Sequence, residues 1–179
     1  MTTITLDFET YYDDDYTLKK MPIAEYVMDM RFEVLGLAVQ VEDEPTQWWH
    51  WDEKHHLEDW LLRFPFEEAT VVAHNALFDG FILERFFDVH PARWCCTMMM
   101  ARPIVAPHTG KVALANVADY FKLGLKGDEL RNTKGKKPWS FTVEDWERLK
   151  TYCVQDVKLT RMCYNLLLAW YEANHVDVT

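Results

Sequence analysis

Three acidic segments, far apart in the chain, constrain this sequence more than any other feature. They are Asp7-Phe8-Glu9-Thr10, Asn75-Ala76-Leu77-Phe78-Asp79 and Tyr152-Cys153-Val154-Gln155-Asp156. Residues 3–9 are a short β-rich run, and strand alternation puts Asp7 and Glu9 on one face, Leu6 and Phe8 on the other. Asn75 and Asp79 stand four apart, as do Tyr152 and Asp156, so each pair shares one face of a helix. If these groups serve one purpose, the fold must carry one strand and two helices from distant parts of the chain to a common pocket.

The intervening pattern supplies such a fold. Residues 33–41 and 46–51 are β-rich runs around Glu42-Asp43-Glu44-Pro45, which predicts a hairpin. Thr70–Ala73 is a short buried strand feeding a helix over 76–87, whose Leu77, Phe81 and Phe87 are expected to face the core. Trp94–Thr97 is a further strand. Shorter helices are predicted around Ala24–Met28 and over 54–64, 97–102 and 111–122, with a loop over 126–140. A long helix starts after Thr142, with Asp145 three residues on as in a capping box, and runs to about Ala173. β-rich runs followed by alternating helices and strands indicate an α/β domain with a mixed sheet.

Composition narrows the classes. At 179 residues the chain suits one domain. Apolar residues make up 49% and aromatics 15%, which argues against disorder. No apolar run reaches the roughly 18 to 20 residues of a membrane span, and Met1–Thr5 lacks the pattern of a secretory signal. Cys95, Cys96, Cys153 and Cys163 form no zinc spacing, so reduced thiols in a cytoplasmic protein are expected. A net charge of −10 looks wrong for a partner of nucleic acid. Carboxylates that hold divalent cations remove much of that objection, because the ions invert the local field.

Hydrolysing a phosphodiester at neutral pH needs an activated water and a counter-charge for the leaving oxygen, and two ions about 3.5–4 Å apart supply both. Magnesium takes oxygen ligands, so a few carboxylates and substrate phosphate complete its shell. Asp7 and Glu9 offer two such ligands from a rigid strand, with Asp7 best placed to bridge. Asn75, at a strand–helix junction, suits a helix cap, and its amide can also reach a nucleotide. Tyr152, with a reference pKa of about 10, is a poor base at pH 7 and is better suited to holding the attacking water.

Together the segments resemble the three exonuclease motifs of the DEDD superfamily, tyrosine subclass, and are most similar to the proofreading domains of phage-type family A DNA polymerases. The resemblance covers roughly residues 3–170 and extends to Tyr11–Lys20, Arg31–Val34 and Cys96-Thr97. It implies a ribonuclease H-like fold, a mixed five-stranded sheet flanked by helices, in a single 3′–5′ exonuclease domain over 1–179. It implies two divalent ions, Mg2+ or Mn2+, with Asp7, Glu9, Asp79 and Asp156 as ligands and Tyr152 as the water-positioning member of the catalytic set. Phe8, Thr10 and Asn75 would contact the terminal nucleotide. The resemblance further implies single-stranded DNA or frayed DNA 3′ ends as the substrate class, a DNA polymerase or replication protein as the partner class, and the cytoplasm of a bacterium or phage-infected cell as the setting. An RNA-trimming exoribonuclease and a non-catalytic single-strand-binding module are the alternatives.

Other features read more plainly. Asp-x-Glu alone, or Asn-x-x-x-Asp alone, arises by chance in acidic chains; the three motifs in order carry the weight. Asp13–Asp15 reads as a solvated loop rather than a third cation site. His50, His55 and His56 read as surface, and His74 as a structural hydrogen-bonding residue. Trp48, Trp49 and Trp51 are expected to fill sheet faces. Between Lys122 and Lys137 the stretch is +4, readable as a solvated loop or a basic contact. Trp139, after Lys134, Lys136 and Lys137, could stack on a base, with packing against the last helix the expected arrangement.

Overall fold

The computed structural model describes residues 1–51, 56–124 and 133–176. Its centre is a five-stranded sheet in the order β3-β2-β1-β4-β5, with β1 at Thr2–Thr10, β2 at Val34–Val41, β3 at Gln47–His50, β4 at Ala69–Ala73 and β5 at Arg93–Cys96. The β1–β2 and β2–β3 pairs are antiparallel, and β1–β4 and β4–β5 are parallel, so the sheet is mixed. Alternation works as expected in β1: Leu6 and Phe8 are buried, and Asp7 and Glu9 are half-exposed on the other face. A bulge follows at Glu9/Thr10, where the register shifts from Glu9↔Gly36 to Thr10↔Val34. Bulges of this kind re-aim side chains at the end of a ladder. Gly36 is required in that register, since a Cβ there would fall 2.1 Å from the Trp48 ring.

Helices α1 (Ile23–Met28), α2 (Leu57–Leu61) and α3 (Ala76–Phe87) enclose one core with the Leu6/Phe8 face. Helix α6, Val143–Ala173, lies across β1 and β2 on the Asp7 side, where Cys153 and Val157 meet Ala38. It runs unbroken for 31 residues and opens with the capping box: Asp145 N–H donates to Thr142 Oγ1 at 3.1 Å and Thr142 N–H to Asp145 Oδ2 at 3.0 Å. Helices α4 (Thr97–Thr109) and α5 (Leu114–Tyr120) pack with the later part of α6 around Val105, Val117, Cys163 and Leu167.

Several expectations need correction. Helix α4 continues through Pro103 and Pro107 to Gly110, whose φ of 69° closes it in the left-handed region. Each proline removes a backbone donor, but burial of Ala101, Ile104 and Val105 outweighs the loss. In α3 the buried face is Ala76, Phe78, Asp79, Ile82 and Leu83, whereas Leu77 is 69% exposed and Phe81 and Phe87 only border the core. Leu77 is an apolar side chain on the solvent face of α3, which shifts the apparent periodicity of the helix. His50 is not plain surface: its ring lies 4.8 Å from that of Trp146. His55 and the basic residues Lys126 and Arg131 fall outside the described residues.

Candidate active site

The C-terminal half of β1 and the middle of α6 frame a cleft of about 360 Å³, lined by Asp7, Phe8, Glu9, His74, Met98, Ala113, Leu114, Tyr152 and Asp156. Strand alternation aims Asp7 and Glu9 into it from a sheet that cannot easily yield. On α6 the buried stripe Leu149–Cys153–Val157 faces the sheet, and the four-residue spacing then sets Tyr152 and Asp156 together at its edge. The Tyr152 hydroxyl donates a hydrogen bond to Asp156. Burial raises the tyrosine pKa above its ordinary value, and the charges of Asp156, Glu9 and Asp7 raise it further. These effects reinforce what the ordinary tyrosine pKa of about 10 already implies, that Tyr152 carries its proton at neutral pH.

Asp79 lies behind the cleft rather than in its lining. It is 2% exposed, and its Oδ1 accepts the Phe8 backbone N–H at 3.1 Å. Burial raises its pKa to about 7, against the pull of that N–H and its own. One hydrogen bond thus ties the second motif to the first at Phe8, the residue between the two strand carboxylates.

Asn75 caps α3 by position only. It adopts φ 81°, a left-handed conformation that asparagine tolerates better than most residues, and its side chain makes no capping bond. Thr10 turns away: its Oγ1 is 2.8 Å from the Tyr26 hydroxyl. Neither residue lines the cleft. His74 does line it, but both ring nitrogens are engaged, Nδ1 at 2.9 Å from Thr97 Oγ1 and Nε2 at 2.9 Å from Val112 O. That matches the structural role expected of it.

Cys153 is the residue that the motifs did not flag. Its Sγ donates to Asp7 O at 3.2 Å and lies 3.7 Å from Asp7 Oδ2. One ligand atom each from Asp7, Glu9 and Cys153 lies within 4.8 Å of the others. Burial, then the charges of Asp7 and Glu9, push the thiol pKa well up, in keeping with the thiol donating to Asp7 O. Its helical periodicity with Leu149 and Val157 was the available signal.

The remaining donors are hard oxygens, which fit Mg2+ or Mn2+ and not a soft metal. Asp7, Glu9 and Asp156 could hold such ions, and Asp79 could join them once ionised. Of the other acidic triplet, Asp13 Oδ1 accepts N–H bonds from Asp15 and Tyr16 at 2.8 and 2.7 Å, which makes it a turn rather than a cation site. Trp139 departs from expectation, being 71% exposed instead of packed on α6.

Comparison with known proteins fits this geometry. The chain is 27% identical over 186 residues to a DNA polymerase of Bacillus phage SP02, spanning 92% of this chain but only 28% of that relative's length. No family profile matches. Among solved structures, NrnC of Brucella melitensis with bound Mg2+ superposes over 97% of this chain and 75% of its own, with a TM-score of 0.67 at 13% identity. Escherichia coli RNase D, an exoribonuclease, superposes over 96% of this chain and 40% of its own, with a TM-score of 0.60 at 17% identity. This is the ribonuclease H-like fold of nucleases. The likeness to DEDD exonucleases read from the three motifs agrees with both the polymerase relative and the exoribonuclease neighbour. No helix among the described residues is long and apolar enough to cross a membrane.

Proposed function

We propose that residues 1–179 form a 3′–5′ exonuclease domain that uses divalent metal ions to release 5′-mononucleotides from DNA 3′ ends, single-stranded or frayed. The observation that carries this reading is the meeting of Asp7, Glu9, Tyr152 and Asp156, drawn from opposite ends of the chain, in one cleft. Asp79 is tied to the same strand through Phe8. Two bound ions would supply a nucleophilic water and charge stabilisation at the leaving oxygen. Asp7, Glu9, Asp79 and Asp156 would hold them, with Asp7 shared. Tyr152, protonated and oriented by Asp156, would position the attacking water through its hydroxyl. Phe8, which contributes to the cleft lining, would contact the terminal nucleotide; Asn75 and Thr10, outside the lining, would reach it only from beyond the cleft.

DNA is favoured because the likeness in sequence is to a DNA polymerase. The fold shared with an exoribonuclease keeps RNA 3′-end trimming as the second reading. A replication protein is the partner class, and the cytoplasm of a bacterium or phage-infected cell the setting, that suits such a domain. The test is a gel assay of DNA and RNA oligonucleotides labelled at the 5′ end, with Mg2+, Mn2+ or EDTA. A ladder that shortens from the 3′ end with metal and not with EDTA is expected, faster on DNA. Intact oligonucleotides with both metals would overturn the enzymatic reading.

A further inference from the structure

We propose that Trp139 is a stacking platform for a base of the single strand whose 3′ end occupies the cleft, an inference that rests on the exonuclease reading above. Trp139 is 71% exposed in the one-turn helix Pro138–Ser140, and Val143, at the start of α6, is 82% exposed. A lone exposed apolar side chain is ordinary on a protein surface, so exposure by itself assigns nothing. The difference is how firmly the segment beneath it is held. Pro138 is buried, and Ser140 Oγ donates to Lys137 O at 2.7 Å. Lys137 Nζ reaches Glu33 at 3.1 Å and sits 3.8 Å from the Tyr11 ring centroid. Lys136 pairs with Asp145 at 2.7 Å, and Gly135 N–H donates to Tyr12 O at 2.8 Å. An indole left in water on an immobilised turn has little freedom to lose when it meets a flat ligand.

The turn lies outside the cleft lining but is fastened to the chain just beyond β1, through Lys137 over Tyr11 and Gly135 to Tyr12, the residues two and three places after Glu9. Glu9 pairs with Gly36, and Gly36 with His50. The His50 ring lies 4.8 Å from Trp146, and Trp146 lies 4.3 Å from Phe141, two residues after Trp139. Two strand spacings, roughly 10 Å, separate the Glu9 backbone from that of His50, and the ring stack extends outward from there. A single strand leaving the cleft covers that span within a few nucleotides.

Charge favours stacking over phosphate binding here. Lys134, Lys136 and Lys137 each pair with a carboxylate, Asp14, Asp145 and Glu33, and the whole chain carries −10. An aromatic face grips a base without a cation and without regard to sequence. Because the sugar is not read, the same face would serve dT and rU strands.

The experiment compares wild type, Trp139→Ala, Trp139→Phe and Leu62→Ala, the last altering a residue 85% exposed at the end of α2. Fluorescence anisotropy of 5′-labelled dT and rU octamers, read in EDTA, measures binding without cleavage. KM for the octamers is measured in Mg2+. Trp139→Ala should weaken octamer binding and raise octamer KM about 5- to 150-fold, the range of one lost stacked base. Trp139→Phe should recover most of the loss, and Leu62→Ala should match wild type. Octamer binding and KM in Trp139→Ala equal to wild type, while wild type still cleaves, would overturn the platform and leave the exonuclease reading intact. A wild type that cuts nothing would sink the exonuclease reading, with the EDTA binding series still deciding on Trp139. Loss on dT and rU alike supports base stacking; loss confined to one sugar overturns it in favour of sugar recognition.

Discussion

Two acidic clusters, one contiguous at Asp13–Asp15 and the other assembled from Asp7, Glu9 and Asp156, do opposite things. In the first, Asp13–Asp15, every carboxylate faces a donor. Asp13 accepts from the backbone of Asp15 and Tyr16 and from the Tyr11 hydroxyl at 2.9 Å, Asp14 pairs with Lys134, and Asp15 pairs with Lys20 at 3.0 Å. Those backbone bonds hold the Asp13 pKa below its ordinary value. In the second, Asp7, Glu9 and Asp156 crowd around one cleft, and their combined field adds to burial in driving the Tyr152 and Cys153 pKa values upward. A carboxylate among backbone and lysine donors is neutralised as it stands; carboxylates crowded together gain from a cation even with a tyrosine hydroxyl or a thiol beside them. Net charge alone cannot tell these cases apart.

The largest effect that could break this contrast is in the cleft. Asp7→Asn or Asp156→Asn should cut cleavage by about a thousandfold, because each removes a contact to ions that supply several kcal/mol of charge stabilisation. The same contrast predicts a stability difference. Millimolar Mg2+ or Mn2+ should raise the melting temperature of wild type, as any ligand of the folded state does, and raise that of Asp7→Asn much less. Equal metal-induced shifts in the two proteins, or unchanged cleavage in either variant, would remove these residues from the metal site.

A smaller effect belongs to Tyr152. Because its hydroxyl stays protonated and leans on Asp156, Tyr152→Phe removes an orienting bond and no ligand. Turnover should fall about 10- to 100-fold, less than the roughly 100- to 10,000-fold that a group transferring a proton contributes. The metal concentration giving half-maximal rate should not move. A variant as fast as wild type would end the proposed role, and a large rise in metal requirement would make Tyr152 part of the metal site.

Most of this arrangement was legible because it depends on short-range periodicity. The two-residue repeat in β1 separates Asp7 and Glu9 from Leu6 and Phe8, and the four-residue repeat joins Tyr152 to Asp156. What escaped depends on partners far along the chain. The length of α4 past Pro103 is set by packing on α5 and α6. The exposure of Trp139 follows from pairs such as Lys137–Glu33, 104 residues apart. Asp79 behind Phe8, and Cys153 against Asp7, needed the register of β1 against α3 and α6. Leu77 failed for a local reason, since an apolar side chain at an exposed helix position carries no mark in the sequence.

The smallest effect tests the paired cluster, and pH supplies its sign. Asp13 ionises more readily in the folded chain than in the unfolded one, so it adds stability above the ordinary carboxylate pKa of 3.8. That contribution disappears as pH falls through its lower folded value. Asp13→Asn should therefore melt below wild type at pH 7, with the gap closing as both proteins are taken below about pH 4. Cleavage should be unchanged, because Asp13 spends its oxygens on Tyr11, Asp15 and Tyr16 rather than on the cleft. A deficit that stays constant across the acid range would place the loss in turn packing instead of charge, and a fall in cleavage with no change in melting would mean that the two acidic clusters are one functional unit after all.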